Sequence, residues 1–219
     1  MLEKSRIIMQ GPEERAYHIF YYLLNSASDE IRQKFKISEI EDFPYINLDY
    51  SDSGKFDEID EEEYRLMQES MEGLNFTAEE KNAILSIVGS ICHISNIEIE
   101  EGRENDSSNI AEGDRSAENA AELLGIGREG LEELVCSKQF YDILEKKNIK
   151  QMIPVEKAFH NRESLAKFLY SKMFDWIVDR VNVSIRKKFV GSRKQYKSIG
   201  EWFYAFGEEG VDLGIRREF

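Results

Sequence analysis

A chain of 219 residues with 41% hydrophobic content and a formal net charge of −14 is long enough to close one substantial core or two small ones. That acidic balance excludes a nucleic-acid binder whose whole surface is basic, though not a local basic patch. Three prolines and fourteen glycines beside abundant Glu, Lys, Ile and Leu favour a mainly α fold, and no apolar run is long enough to span a bilayer.

In chain order, Ile7 to Met9 is a short β-like run, and Gly11-Pro12 opens an expected helix with Glu13 and Glu14 in its first turn. Ala16, Ile19, Phe20, Leu23 and Leu24 recur at helical spacing and define one buried face. His18 lies in this helix; no Cys, Ser or carboxylate spacing recruits it for catalysis, so it is expected to be structural. Ser28 caps a short helix at 29–35. The acidic run from 49 to 63 lacks the oxygen-ligand alternation, turn Gly and terminal bidentate Glu of a calcium loop, and reads as a solvated loop leading into a helix.

The helix continues through Tyr64 to Met71 and ends at Gly73, after which Thr77-Ala-Glu-Glu80 spells a capping box. Ile84, Ile87, Val88 and Ile91 follow on one face. His93 has no ligand partner three or four residues away and is expected to be a packed histidine near a helix end. Residues 100–114 read as a mobile polar surface loop. Ala117, Ala120, Ala121 and Leu124 mark a small-residue helix stopped by Gly125, and a further helix spans 129–136. Cys92 and Cys136 form no disulfide framework and read as buried free thiols of a reducing compartment. From Ser137 to Ile153, Phe140, Tyr141, Ile143, Ile149, Met152 and Ile153 alternate with Lys138, Lys146, Lys147 and Lys150.

From Pro154 to Lys188 the apolar residues keep a helical period with no Gly and no internal Pro, which predicts one helix of roughly 50 Å. Its wording is more specific than its period. Ser164 to Asn182 reads SLAKFLYSKMFDWIVDRVN, and it is joined by EKSR at Glu3–Arg6, GPEERAYHIFYYLL at Gly11–Leu24, FPYIN at Phe43–Asn47, GLNFTAEEK at Gly73–Lys81, IVGSICHISNIEI at Ile87–Ile99 and AAELLGI at Ala120–Ile126. Together, and in this order, they resemble the myosin motor domain from about residue 2 to about residue 200, in the upper 50-kilodalton region between switch I and switch II. After Gly200 the likeness fails: Glu201-Trp-Phe-Tyr-Ala-Phe-Gly207 stands where the family continues into switch II.

The resemblance implies a mainly α fold: a helical subdomain packed around one long helix at 154–188, with a few short strands from an incomplete transducer sheet and an actin-facing loop. Residues 1–200 would form a partial motor domain and 201–219 a divergent tail. The strands are expected at Ile7–Met9 and near Ile199, and Phe20, Leu23, Leu85, Val88, Leu124, Leu169, Phe174 and Trp176 are expected to be largely buried. In position, 137–153 matches the family's cardiomyopathy loop, so Lys138, Tyr141, Lys146, Lys147 and Lys150 are candidate actin contacts. The complete family member is a Mg-ATP-driven motor on actin filaments in the cytoplasm. This sequence contains no G-x-x-x-x-G-K-[ST] phosphate loop and no recognisable switch I; no catalytic, cofactor or metal residue carries over, and the chain alone is expected not to hydrolyse ATP. The alternatives are a free-standing actin-binding or regulatory helical module, and a helical protein with an unrelated partner.

Overall fold

The computed structural model describes residues 3–11, 14–46, 57–142 and 147–190. The chain divides into two compact units, Met1–Val178 and Asp179–Phe219, and only residues 179–190 of the second are described. Among the described residues the fold is mainly α, with two separate two-stranded antiparallel sheets. No helix among them is long and apolar enough to cross a membrane.

The expected strand at Ile7–Met9 does not form. Lys4–Ile7 is a 3-10 turn with Ile7 fully buried, because no described strand lies beside it and its amides must bond locally: Ile8 and Met9 both donate to the Ser5 carbonyl. Ile199 lies outside the described residues. The helix expected from Gly11-Pro12 begins only at His18, as α1 (His18–Tyr21), and widens into a π turn at Tyr22–Ser26. Side-chain pairing holds the preceding residues out of the helix. Arg15 grips Asp60 through two hydrogen bonds and lies 3.8 Å over the Tyr21 ring, while the Ala16 amide donates to the Tyr21 hydroxyl at 3.0 Å.

Local signals are obeyed where they are strong. Helix α2 (Asp29–Lys34) is capped by Ser28, whose Oγ accepts from the Ile31 amide. Helix α3 (Asp57–Gly73) ends at the expected glycine. Helix α4 (Ala78–Ile94) starts in the full capping box: Thr77 Oγ1 accepts from the Glu80 amide at 3.2 Å and Glu80 Oε2 accepts from the Thr77 amide at 2.9 Å. At Gly89 this helix lies against its neighbours, where a Cβ would stand 3.4 Å from Leu123 and Phe35 side-chain atoms, about ordinary contact distance.

Residues 100–114 are not the expected loop. Strands β1 (Ile99–Glu101) and β2 (Ser108–Ile110) form a hairpin, closed by the Gly102 amide donating to the Ser107 carbonyl at 2.9 Å. The alternation that would reveal it is only three residues long, with Ser108 and Ile110 turned inward and Asn109 less buried. Asp114 then caps α5 (Arg115–Leu124) by accepting from the Ala117 amide at 3.0 Å, and its other oxygen accepts from the Glu98 amide at 2.7 Å. Gly125, at φ +67°, terminates α5 in the left-handed conformation that glycine adopts without strain.

Helix α6 (Arg128–Cys136) buries Leu131, Val135 and Cys136 and runs directly into strand β3 (Ser137–Asp142), which pairs with β4 (Lys147–Met152) before α7 (Val155–Val190). Helix α7 covers the predicted long helix. Its buried apolar positions among the described residues are Ala158, Ala166, Tyr170 and Met173, fewer than the apolar spelling offers. Phe20, Leu23, Leu85 and Val88 are buried as expected, but Phe174 and Trp176 are 39% and 42% exposed, and Leu124 and Leu169 are only half-buried. Phe174 sits about 100° around the helix from Met173, and Trp176 meets the edge of Phe76 at 6.2 Å while much of its surface remains open.

Candidate functional site: the 137–152 hairpin

The sequence from Ser137 to Met152 intersperses polar and apolar residues, and strand pairing sends successive positions to opposite faces of a two-sided ribbon. Ser137 stands opposite Met152, Lys138 opposite Gln151, Gln139 opposite Lys150, Phe140 opposite Ile149, Tyr141 opposite Asn148 and Asp142 opposite Lys147. A lone two-stranded ribbon is marginal in water, so its base must be held by the rest of the fold. The Ile153 amide donates to the Cys136 carbonyl at 3.1 Å, Ser108 Oγ donates to the Ile153 carbonyl at 2.7 Å, and Asn161 Nδ2 of α7 reaches the Val135 carbonyl at 3.1 Å. Val135, Cys136 and Ile153 are buried at this base. Three elements, α6, β2 and α7, therefore fix where the ribbon leaves the core.

The lysines are placed unevenly. Lys138 is exposed; Lys150 is exposed as well, but its Nζ lies 3.1 Å from Glu133 Oε2 on α6. Because strand residues alternate, Lys138 and Lys150 lie on opposite faces of the ribbon. Tyr141 and Lys147 occupy paired strand positions, and Lys146 lies outside the described residues. Sequence reasoning missed Glu133, which also accepts from Gln139 Nε2. The donated hydrogen bonds from Lys150 and then Gln139 hold its carboxyl below the usual carboxylate range. No local pattern betrays a pair separated by 17 positions.

The remaining candidates are structural. His93 is buried, and its Nε2 lies 3.1 Å from the Phe35 carbonyl oxygen; since a carbonyl only accepts, Nε2 carries the hydrogen. Phe43 meets the ring edge-on at 5.7 Å. Burial, assisted by Lys36, lowers its pKa from the usual 6.5. The unfolded chain therefore binds this proton more readily than the native one, so stability is complete above about pH 6.5 and is lost as pH falls below it. Melting curves at pH 7.5 and 5.0 should show a larger loss for the parent than for His93→Phe; parallel losses would contradict this role.

Cys92 and Cys136 are buried free thiols whose pKa values burial pushes up, which suits packing rather than nucleophilic attack. Among the described residues no group of three or more His, Cys, Asp or Glu is placed to hold a metal ion.

The chain matches the family described as myosin head (motor domain) over residues 1–201. It is similar to Myosin-6 of Arabidopsis thaliana, 37% identical over 189 residues that cover 84% of this chain and 12% of that protein. It is 36% identical to unconventional myosin-XV of Homo sapiens over 84% of this chain and 5% of the relative, and 34% identical to Myosin-16 of Arabidopsis thaliana over 84% and 15%. The chain thus spans a small part of the length of these relatives.

Proposed function

Because the chain belongs to the myosin head (motor domain) family, we propose that it serves as the actin-facing upper part of a cytoplasmic, filament-based motor, and that the 137–152 hairpin is its contact surface. The observation that carries this reading is a ribbon with exposed lysines, held at its base by three elements, at the place where the resemblance puts the family's actin-touching loop. The filament surface met by this family is acidic, whereas this chain carries a net charge of −14. Attraction must therefore come from the local lysines and not from net charge.

Exposed Phe168, Phe174, Trp176 and Val178 along α7 support a role as part of a larger motor, with further segments packing against this helix. ATP turnover is assigned to the complete motor. The chain alone has no phosphate loop in its sequence, and magnesium-dependent turnover that copurifies with it and vanishes on mutating it would refute this assignment.

Cosedimentation with actin filaments tests the contact. The parent chain should bind weakly, and more weakly as salt rises, because exposed charges are screened over about 8 Å near physiological ionic strength. Changing Lys138, Lys146, Lys147 and Lys150 together to Glu should abolish most of the binding. Equal pelleting of both proteins would remove the hairpin from actin recognition.

A further inference from the structure

The two faces of the hairpin have different surroundings. One carries Ser137, Gln139, Lys150 and Met152 at directly opposed positions. On that face Ser137 Oγ donates to the Glu133 carbonyl at 2.7 Å, Gln139 Nε2 donates to Glu133 Oε1, and Lys150 Nζ donates to Glu133 Oε2 at 3.1 Å. A single residue in the last turn of α6 is thus bound by both strands at once. The other face carries Lys138 and Gln151, both exposed, with Ile149 half-buried. Lys147 occupies a register position of this second face, opposite Asp142. Lys138 has no ion pair among the described residues, whereas the charge of Lys150 is already met by Glu133.

We propose that Glu133 is a positioning residue that clasps the Gln139–Lys150 face of the hairpin to α6, and that the Lys138–Gln151 face is thereby the one presented to an acidic protein filament. The second half rests on the reading of the hairpin as an actin contact; the first half does not. An exposed ion pair alone contributes little. Here one carboxylate accepts a charged donor from β4 and an amide donor from β3, so losing it loosens both strands from the helix together.

Two experiments on the full chain separate the halves. Amide hydrogen exchange is compared for the parent and Glu133→Gln. Strand amides of 137–142 and 147–152 should exchange about two to five times faster in the variant, the range expected for a surface contact, while α4 and α5 amides stay unchanged. Unchanged strand exchange, or equal acceleration everywhere, would overturn the clasp. Filament cosedimentation is then compared for Lys138→Gln and Lys150→Gln. Lys138→Gln should weaken binding about threefold or more and Lys150→Gln less than about twofold, since an already paired charge gives up little. A loss at Lys150 as large as that at Lys138 would overturn the face assignment. If no chain pellets with filaments, the actin reading and the face assignment fall together, and the exchange result still decides the clasp.

Discussion

Replacing Asp60 with Ala should destabilise the chain by about 3 kcal/mol, near the lower end of what removing one partner of a buried ion pair costs. The Asp60 side chain is only 3% exposed and that of Arg15 15%, and the two meet in a bidentate fork, one arm of it 3.0 Å long. The pair ties the segment before α1 to α3, which also lies against the π turn through Tyr22 and Tyr64, with ring centroids 6.2 Å apart. Losing the carboxylate leaves the guanidinium in a partly dry setting with the Tyr21 ring beneath it. At this chain length about 3 kcal/mol corresponds to a fall in Tm of roughly 6–12 °C. The double variant Arg15→Met, Asp60→Leu should recover much of the loss, because apolar replacement of both partners removes the buried charge as well as the bond. A single variant that melts within about 2 °C of the parent would show that the pair is solvated after all.

A comparable loss is expected from Phe20→Ala, about 3–5 kcal/mol for emptying a closed aromatic site. Phe20 is fully buried and packs on Tyr170 with ring centroids 5.7 Å apart, and Tyr170 in turn stacks on Tyr17 at 4.7 Å. The informative control is Trp176→Ala. Trp176 is the larger residue and belongs to the most specific stretch of the sequence, yet it is 42% exposed; truncation at a partly open site should lose less, about 1–2 kcal/mol. Chemical denaturation midpoints of the two variants separate the cases. Equal losses would mean that the α7 face around Trp176 is closed.

The contrast between Phe20 and Trp176 shows what the amino-acid spelling conveys. Caps and stops are read locally, and Ser28, the Thr77–Glu80 box and Gly125 act where their side chains and backbone freedom require. Helix α7 follows from an unbroken period. Periodicity reports which face is apolar but not whether anything covers it, so Trp176 and Phe174 look as buried in the sequence as Phe20. Long-range pairs leave no local trace. Asp60 sits in an acidic run that reads as solvated, and only its partner 45 residues away makes it a buried anchor. Strand β2 is three residues long, too short to alternate visibly, and Ile7–Met9 has strand-like residues without a described neighbour to pair with.

The same division holds at the hairpin. Its lysines and apolar residues were legible, and the resemblance gave the place; which lysine faces outward was not, because strand register and the Glu133 contact decide it. Lys138 and Lys150 are alike in composition and unlike in surroundings.

The contact surface itself is tested most directly by hydrogen exchange of the chain free and bound to actin filaments. The proposed function predicts new protection at residues 137–152, with α4 and α5 exchanging alike in both states. Protection confined to α4, α5 or α7 with the hairpin unchanged, or no protection at filament concentrations that pellet the chain, would contradict it.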